Sequence, residues 1–104
     1  MRKIILTSLI LLITGSVFLA NAQTPEEKLK QLGLELPEVS KPIANYVKWR
    51  QVGNLLYLSG TGPKIYGKVG ADLTIEQGYE AARATGIEII AVLKAATGDL
   101  SRIK

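Results

Sequence analysis

Apolar residues fill the start of the chain almost without a break, from Ile4 to Ala20, and then give way to a polar sequence with regular punctuation. The leading run follows Met1, Arg2 and Lys3 and closes on Ala20, Asn21, Ala22, the small-x-small pattern that signal peptidase accepts. A basic n-region, a short apolar core and a small-residue site together predict an export signal over 1–22, cleaved before Gln23. The competing reading is an uncleaved anchor, since the run approaches the ~20 residues that span a bilayer. Cleavage implies a periplasmic or secreted product with no membrane segment of its own, and with no cysteine to acylate it is not a lipoprotein.

Beyond residue 22 the pattern divides into four parts. Thr24, Pro25, Glu26, Glu27 is a helix start: Thr24 caps, Pro25 takes the first helical position and Glu27 closes a capping box. This helix is expected to run to about Leu32 and stop at Gly33, with an extended connector from Leu34 to Pro42. Asn45–Val52 and Leu55–Ser59 are β-prone runs separated by Gly53 and Asn54, which predicts a hairpin. Gly60 to Pro63 breaks the strand, and Lys64–Gly70 reads as a short strand or a glycine-rich loop.

Thr74, with Gln77 three residues on, opens a long helix that Gly98 should end. Ile75, Tyr79, Ala82, Gly86, Ile90 and Leu93 recur at intervals of three and four, an apolar stripe expected to lie on the hairpin. Gly78 and Gly86 each cost ~1 kcal/mol relative to alanine inside a helix, so both point to close approach by a sheet or a neighbouring subunit. Asp99 to Lys104 then stands where a further strand is expected, with Arg102 near its start. The fold class is α+β: an N-terminal helix, a β-hairpin and a long helix packed on the sheet. So few strands leave a sheet edge unpaired and part of the helix face wet.

Composition narrows the chemistry. The chain carries 13 basic and 9 acidic side chains; without Arg2 and Lys3 the mature balance is 11 against 9, a net charge of only +2. That is no basic stripe of the kind nucleic acid demands. With no cysteine and no histidine, disulfides, thiolate catalysis, the usual zinc and haem ligands and Ser-His-Asp chemistry are all excluded. Hydroxyls, backbone amides, carboxylates, lysine and arginine remain. The 82 residues from Gln23 to Lys104 can build only a small core, and near ~80 residues such cores are marginal without staples. Gly62 to Lys68 imitates a phosphate loop, but Val69 stands where a serine or threonine must reach magnesium, and no helix start follows at once. Nucleotide binding is not expected.

Two stretches carry a family resemblance. Ala44 to Val47, then Val52 to Gly60, then Gly62 and Pro63 resemble the N-terminal hairpin of the Rid proteins, the reactive intermediate deaminases also labelled YjgF or endoribonuclease L-PSP. Gly67 to Arg83 resembles the run that enters their first long helix, and the Thr24–Leu29 helix start is similar to the chorismate mutase-like branch. The likeness covers residues 24–104. It implies a chorismate-mutase-like α+β domain, here its N-terminal part at 23–104, that forms homotrimers with sites in the clefts between subunits.

The implied activity is hydrolysis of amino-acid-derived enamines and imines to a 2-oxo acid and ammonia, without metal or organic cofactor. An imine carbon is already electrophilic, so such a site must hold the substrate carboxylate, position a water and supply donors to developing charge. Carried over by position, Tyr46 and Ser59, with Gly60 beside it, line the substrate pocket. The arginine and glutamate that complete the family's site come from the second half of its domain, and Arg102 is not their counterpart. As written the chain is therefore expected to be a truncated, inactive copy. Thr61 departs from the glutamine usual after the Ser-Gly pair, which leaves substrate preference open.

Each candidate also has a plain structural reading. Tyr46 on a strand can be a rim aromatic, Ser59 before glycine a turn former, and Trp49 an interface anchor. Three functions stay open: a Rid-like imine hydrolase domain, a non-catalytic small-molecule or subunit-interaction module, and an endoribonuclease. The low mature charge and the missing histidine argue against the last. Lys48, Arg50, Lys64 and Lys68 still offer a weak anion-binding patch.

Overall fold

The computed structural model describes residues 22–104, so the expected signal at 1–22 lies outside the described residues apart from Ala22. Helix α1 spans Pro25–Gln31, strand β1 Trp49–Val52, strand β2 Leu55–Leu58 and helix α2 Ile75–Thr97, followed by a short 3-10 turn at Leu100–Arg102.

Both helices begin and end where local chemistry dictates. At α1 the Thr24 hydroxyl accepts the Glu27 N–H at 3.2 Å and the Glu27 carboxylate accepts the Thr24 N–H at 2.9 Å, which satisfies two otherwise orphaned donors. Its exit is a Schellman turn: Leu34 N–H donates to the Leu29 carbonyl and Gly33 N–H to that of Lys30, with Gly33 at φ 65°. The same capping box opens α2 through Thr74 and Gln77, and Gly98, left-handed at φ 74°, closes it.

The hairpin is antiparallel, with Trp49 opposite Leu58, Arg50 opposite Tyr57, Gln51 opposite Leu56 and Val52 opposite Leu55. Gly53 makes the turn with a positive φ of 58°, as the Gly-Asn pair predicts. Strand β1 is shorter than the expected Asn45–Val52 run. A tight turn, Tyr46 N–H to the Ala44 carbonyl at 2.8 Å, kinks the chain just before it, and no further strand pairs with residues 45–48. Lys64–Gly70 resolves as a loop: Ala71, Asp72 and Leu73 N–H all point to the Lys68 carbonyl, and the Asp72 carboxylate accepts the Lys68 N–H at 2.9 Å.

The apolar stripe of α2 has the expected spacing but a different phase. Ile75 and Tyr79, at its head, stay 74% and 68% exposed, and Ala82 is exposed too, while Gly78, Ala81 and Thr85 are half-covered by the 63–73 loop. From Thr85 to Lys94 no residue of α2 is exposed, because α1 and the 3-10 turn cover one side and the loop and connector another. Periodicity fixes which residues share a face, not which faces find cover. Close approach is real at Gly78, where an added Cβ would lie 2.6 Å from Val69 Cγ2; at Gly86 an added Cβ would meet nothing within 4 Å.

Buried apolar side chains among the described residues are few: Ala91, Val92 and Leu100. Leu100 lies in the cluster where α2, α1 and the 3-10 turn meet. That turn replaces the strand expected near Arg102, because the Asp99 carboxylate accepts the Ser101 N–H at 2.8 Å and Ile103 N–H bonds back to the Leu100 carbonyl at 3.1 Å. Arg102 itself donates to the Thr97 carbonyl at the end of α2, at 2.8 Å. One carboxylate joins both ends of this cluster: Glu26 Oε1 accepts Lys94 Nζ and, at 2.8 Å, the Leu100 N–H. These bonds hold the Glu26 carboxyl below the usual carboxylate range, the Leu100 N–H contributing most. No helix among the described residues is long and apolar enough to cross a membrane.

Candidate functional site

Tyr46 and Ser59 come together through the backbone between them. Ser59 follows the last residue of β2 and continues its ladder, donating its N–H to the Lys48 carbonyl at 3.0 Å. Its hydroxyl donates to the Val47 carbonyl, so two consecutive carbonyls seat one serine. Tyr46 is the residue before Val47. The Tyr46 side chain, 44% exposed, lines a shallow open depression of about 510 Å3 together with Lys41, Pro42, Ala44, Asn45 and Val47.

Gly60 continues from Ser59 into open space: a Cβ there would touch nothing within 4 Å. The Ser59 oxygen keeps a lone pair for a further donor while its proton is committed to Val47. The depression has an aromatic wall in Tyr46, while the Ser59 hydroxyl and the Gly60 backbone are not part of its lining. It offers no carboxylate and no guanidinium, since none lines the depression.

Lys41 is the charged residue that lines the depression, and Lys48, next to Val47, belongs to an ion pair that sequence reasoning did not join. Lys48 Nζ lies 3.6 Å from Glu88 Oε1 on α2, with the two side chains only 12% and 25% exposed. The Lys48 charge is thus paired with Glu88 rather than free for an anion patch with Arg50, Lys64 and Lys68. The signal was present in Ile87, Glu88, Ile89, Ile90, where one acid interrupts an apolar turn and must find a partner if covered. Trp49 is half-buried opposite Leu58, while Arg50, Val52, Leu55 and Tyr57 share the other face of the hairpin and all are exposed. Among the described residues there is no cluster of three histidine, cysteine, aspartate or glutamate side chains that could hold a metal.

Residues 26–104 match the family described as "YjgF/chorismate mutase-like, putative endoribonuclease". The chain belongs to the YjgF/chorismate mutase-like family. A curated Trypanosoma cruzi protein named Protein TCP17 is 39% identical over 82 residues, covering 73% of this chain and 51% of the relative.

Two solved structures share the YjgF fold. One, a "putative endoribonuclease" from Shewanella oneidensis MR-1, is 46% identical with a TM-score of 0.68, over 78% of this chain and 58% of that one. The other is the protein Atu1372 of Agrobacterium tumefaciens, of unknown function, 41% identical with a TM-score of 0.60, over 73% and 50%. The chain spans about half the length of the relatives it matches.

Proposed function

We propose that this YjgF-family chain is exported and supplies one wall of a pocket for small imines or enamines bearing a carboxylate, of the kind hydrolysed to a 2-oxo acid and ammonia. The observation that carries the reading is the seating of Ser59 on the carbonyls of Val47 and Lys48, one peptide from Tyr46, in a chain of this family. Tyr46 packs against the substrate's apolar part, and Ser59 Oγ accepts from an N–H or from the attacking water. Gly60 leaves room for close approach of the substrate to the backbone.

The wall has only the exposed Lys41 as a cation beside it and no carboxylate to orient the water, so residues 23–104 alone bind without turning over. Those groups come from the part of the family domain that this chain does not match, and copies assemble into a homotrimer whose clefts complete the pocket. RNA cleavage is disfavoured by the mature charge of +2 and the absence of histidine.

The test is ammonia release from freshly generated 2-iminopropanoate, together with an NMR titration of the chain with pyruvate. The expected result is no acceleration over buffer and saturable shifts at Tyr46, Ser59 and Gly60, with those at Ser59 and Gly60 lost in Tyr46→Ala. Turnover lost in Ser59→Ala would show that the wall is catalytically sufficient; absence of any pyruvate response at Tyr46, Ser59 or Gly60 would remove the pocket.

A further inference from the structure

The segment that carries Tyr46 has little to hold it. Residues 45–48 precede β1, nothing pairs with them in the sheet except Ser59, and Tyr46 and Val47 are both substantially exposed. Lys48 is the exception. Its main chain accepts the Ser59 N–H, its neighbour Val47 accepts the Ser59 hydroxyl, and its side chain leaves the hairpin to meet Glu88 on α2 at 3.6 Å. Among the described residues, no other hydrogen bond or ion pair joins the hairpin or its lead-in to α2. A lysine side chain with only 12% of its surface exposed is rarely left unpaired, and Glu88 is the acid that meets it.

We propose that Lys48 and Glu88 are positioning residues for the Tyr46–Ser59 wall: α2, through Glu88, fixes the Lys48 side chain, and Lys48 thereby fixes the two carbonyls on which Ser59 is seated. The inference rests on the reading of that wall as a binding surface. It deepens that reading by assigning the wall's geometry to a residue pair 40 positions apart, one of them on the helix. The pair contacts no substrate; it sets where Tyr46 and Ser59 stand. Removing either charge leaves the other in a covered place with no partner, so the lead-in swings outward to hydrate it and carries Val47 and Tyr46 along.

Amide hydrogen exchange on the full chain tests this with Lys48→Met, Glu88→Gln and the charge swap Lys48→Glu with Glu88→Lys. Each single variant is expected to quicken exchange of the Ser59 amide at least tenfold and that of Tyr57, in the middle of β2, less than twofold. The swap is expected to return Ser59 to within threefold of the parent. Pyruvate-induced shifts at Tyr46 should weaken and recover in parallel.

Unchanged Ser59 exchange in both single variants overturns the proposal, and so does failure of the swap to restore it. Equal acceleration at Tyr57 also overturns it, since the pair would then support the hairpin as a whole. If pyruvate shifts nothing in the parent while Ser59 exchange responds as expected, the pocket reading fails and the positioning of Ser59 by the pair stands.

Discussion

The two glycines inside α2 separate helix propensity from packing within one helix. Gly78 and Gly86 are eight residues apart, and alanine at either gains ~1 kcal/mol of intrinsic helix preference. At Gly86 nothing opposes that gain, because a Cβ has no neighbour within 4 Å. Gly86→Ala is therefore expected to stabilise by about 1 kcal/mol, or roughly 4–8 °C in melting midpoint for a domain of this size.

At Gly78 the same methyl would sit 2.6 Å from Val69 Cγ2, closer than carbon atoms tolerate, with Val69 Cγ1 at 3.6 Å behind it. Relief by turning the stiff Val69 side chain costs about 1 kcal/mol, and relief by shifting the loop up to about 3 kcal/mol. Packing therefore matches or exceeds the propensity gain, and Gly78→Ala falls between neutral and roughly 2 kcal/mol destabilising. Urea unfolding followed by far-UV circular dichroism on both variants provides the comparison. Adding Val69→Ala to Gly78→Ala should recover the propensity gain that the clash conceals. A Gly78→Ala protein as stable as Gly86→Ala would refute the reasoning. A destabilised Gly86→Ala would show that a neighbouring copy occupies the space beside Gly86.

Three other outcomes are expected. Thr74→Ala removes the acceptor that opens α2 and should cost about 1 kcal/mol in urea unfolding; Thr24→Ala, at a short peripheral helix, should leave the midpoint nearly unchanged and loosen α1 alone. The lowered Glu26 carboxyl makes α1 docking acid-sensitive: its contribution is complete above the ordinary value of 4.5 and is lost as pH falls through the lower folded value. The Leu100 amide should accordingly exchange faster below that point in the parent, and Glu26→Gln should abolish this step; a parent whose Leu100 amide shows no acid step would sink the assignment. Ser59→Ala leaves the Val47 carbonyl free to take water, so a loss near 0.5 kcal/mol is expected, at the low end for a hydrogen bond; a cost above about 2 kcal/mol would assign Ser59 to structure alone.

What the sequence reveals of this fold is what local chemistry decides. The caps at Thr24 and Thr74, the stops at Gly33 and Gly98 and the turn at Gly53 need only residues a few positions apart, and each appears where its signal lies. The length of β1 was not legible, because Asn45, Tyr46 and Val47 are β-prone by type but a strand exists only where a partner does. The phase of the α2 stripe failed at Ile75 and Tyr79 for a similar reason: their cover is not supplied by the described residues. At the candidate site, Tyr46 and Ser59 were named through the family's pattern, whereas Glu88 stands out locally only as an acid within an apolar turn, and nothing near it in sequence names Lys48 as its partner.

The carboxylate of Glu26 also bears on the order of assembly. The hairpin closes across two residues and α2 propagates from its own cap, so both can form in microseconds from contacts near in sequence. Glu26 reaches Lys94 and Leu100 across 68 and 74 positions, the longest closures made by any side-chain hydrogen bond described. Such a closure must wait for its distant partners to exist, and its entropy is recovered only when α2 and the 3-10 turn are already in place. Helix α1 is then the last element to arrive and the first to leave, and a protease acting on the native protein should cut the connector between Leu34 and Pro42 before it touches the long helix.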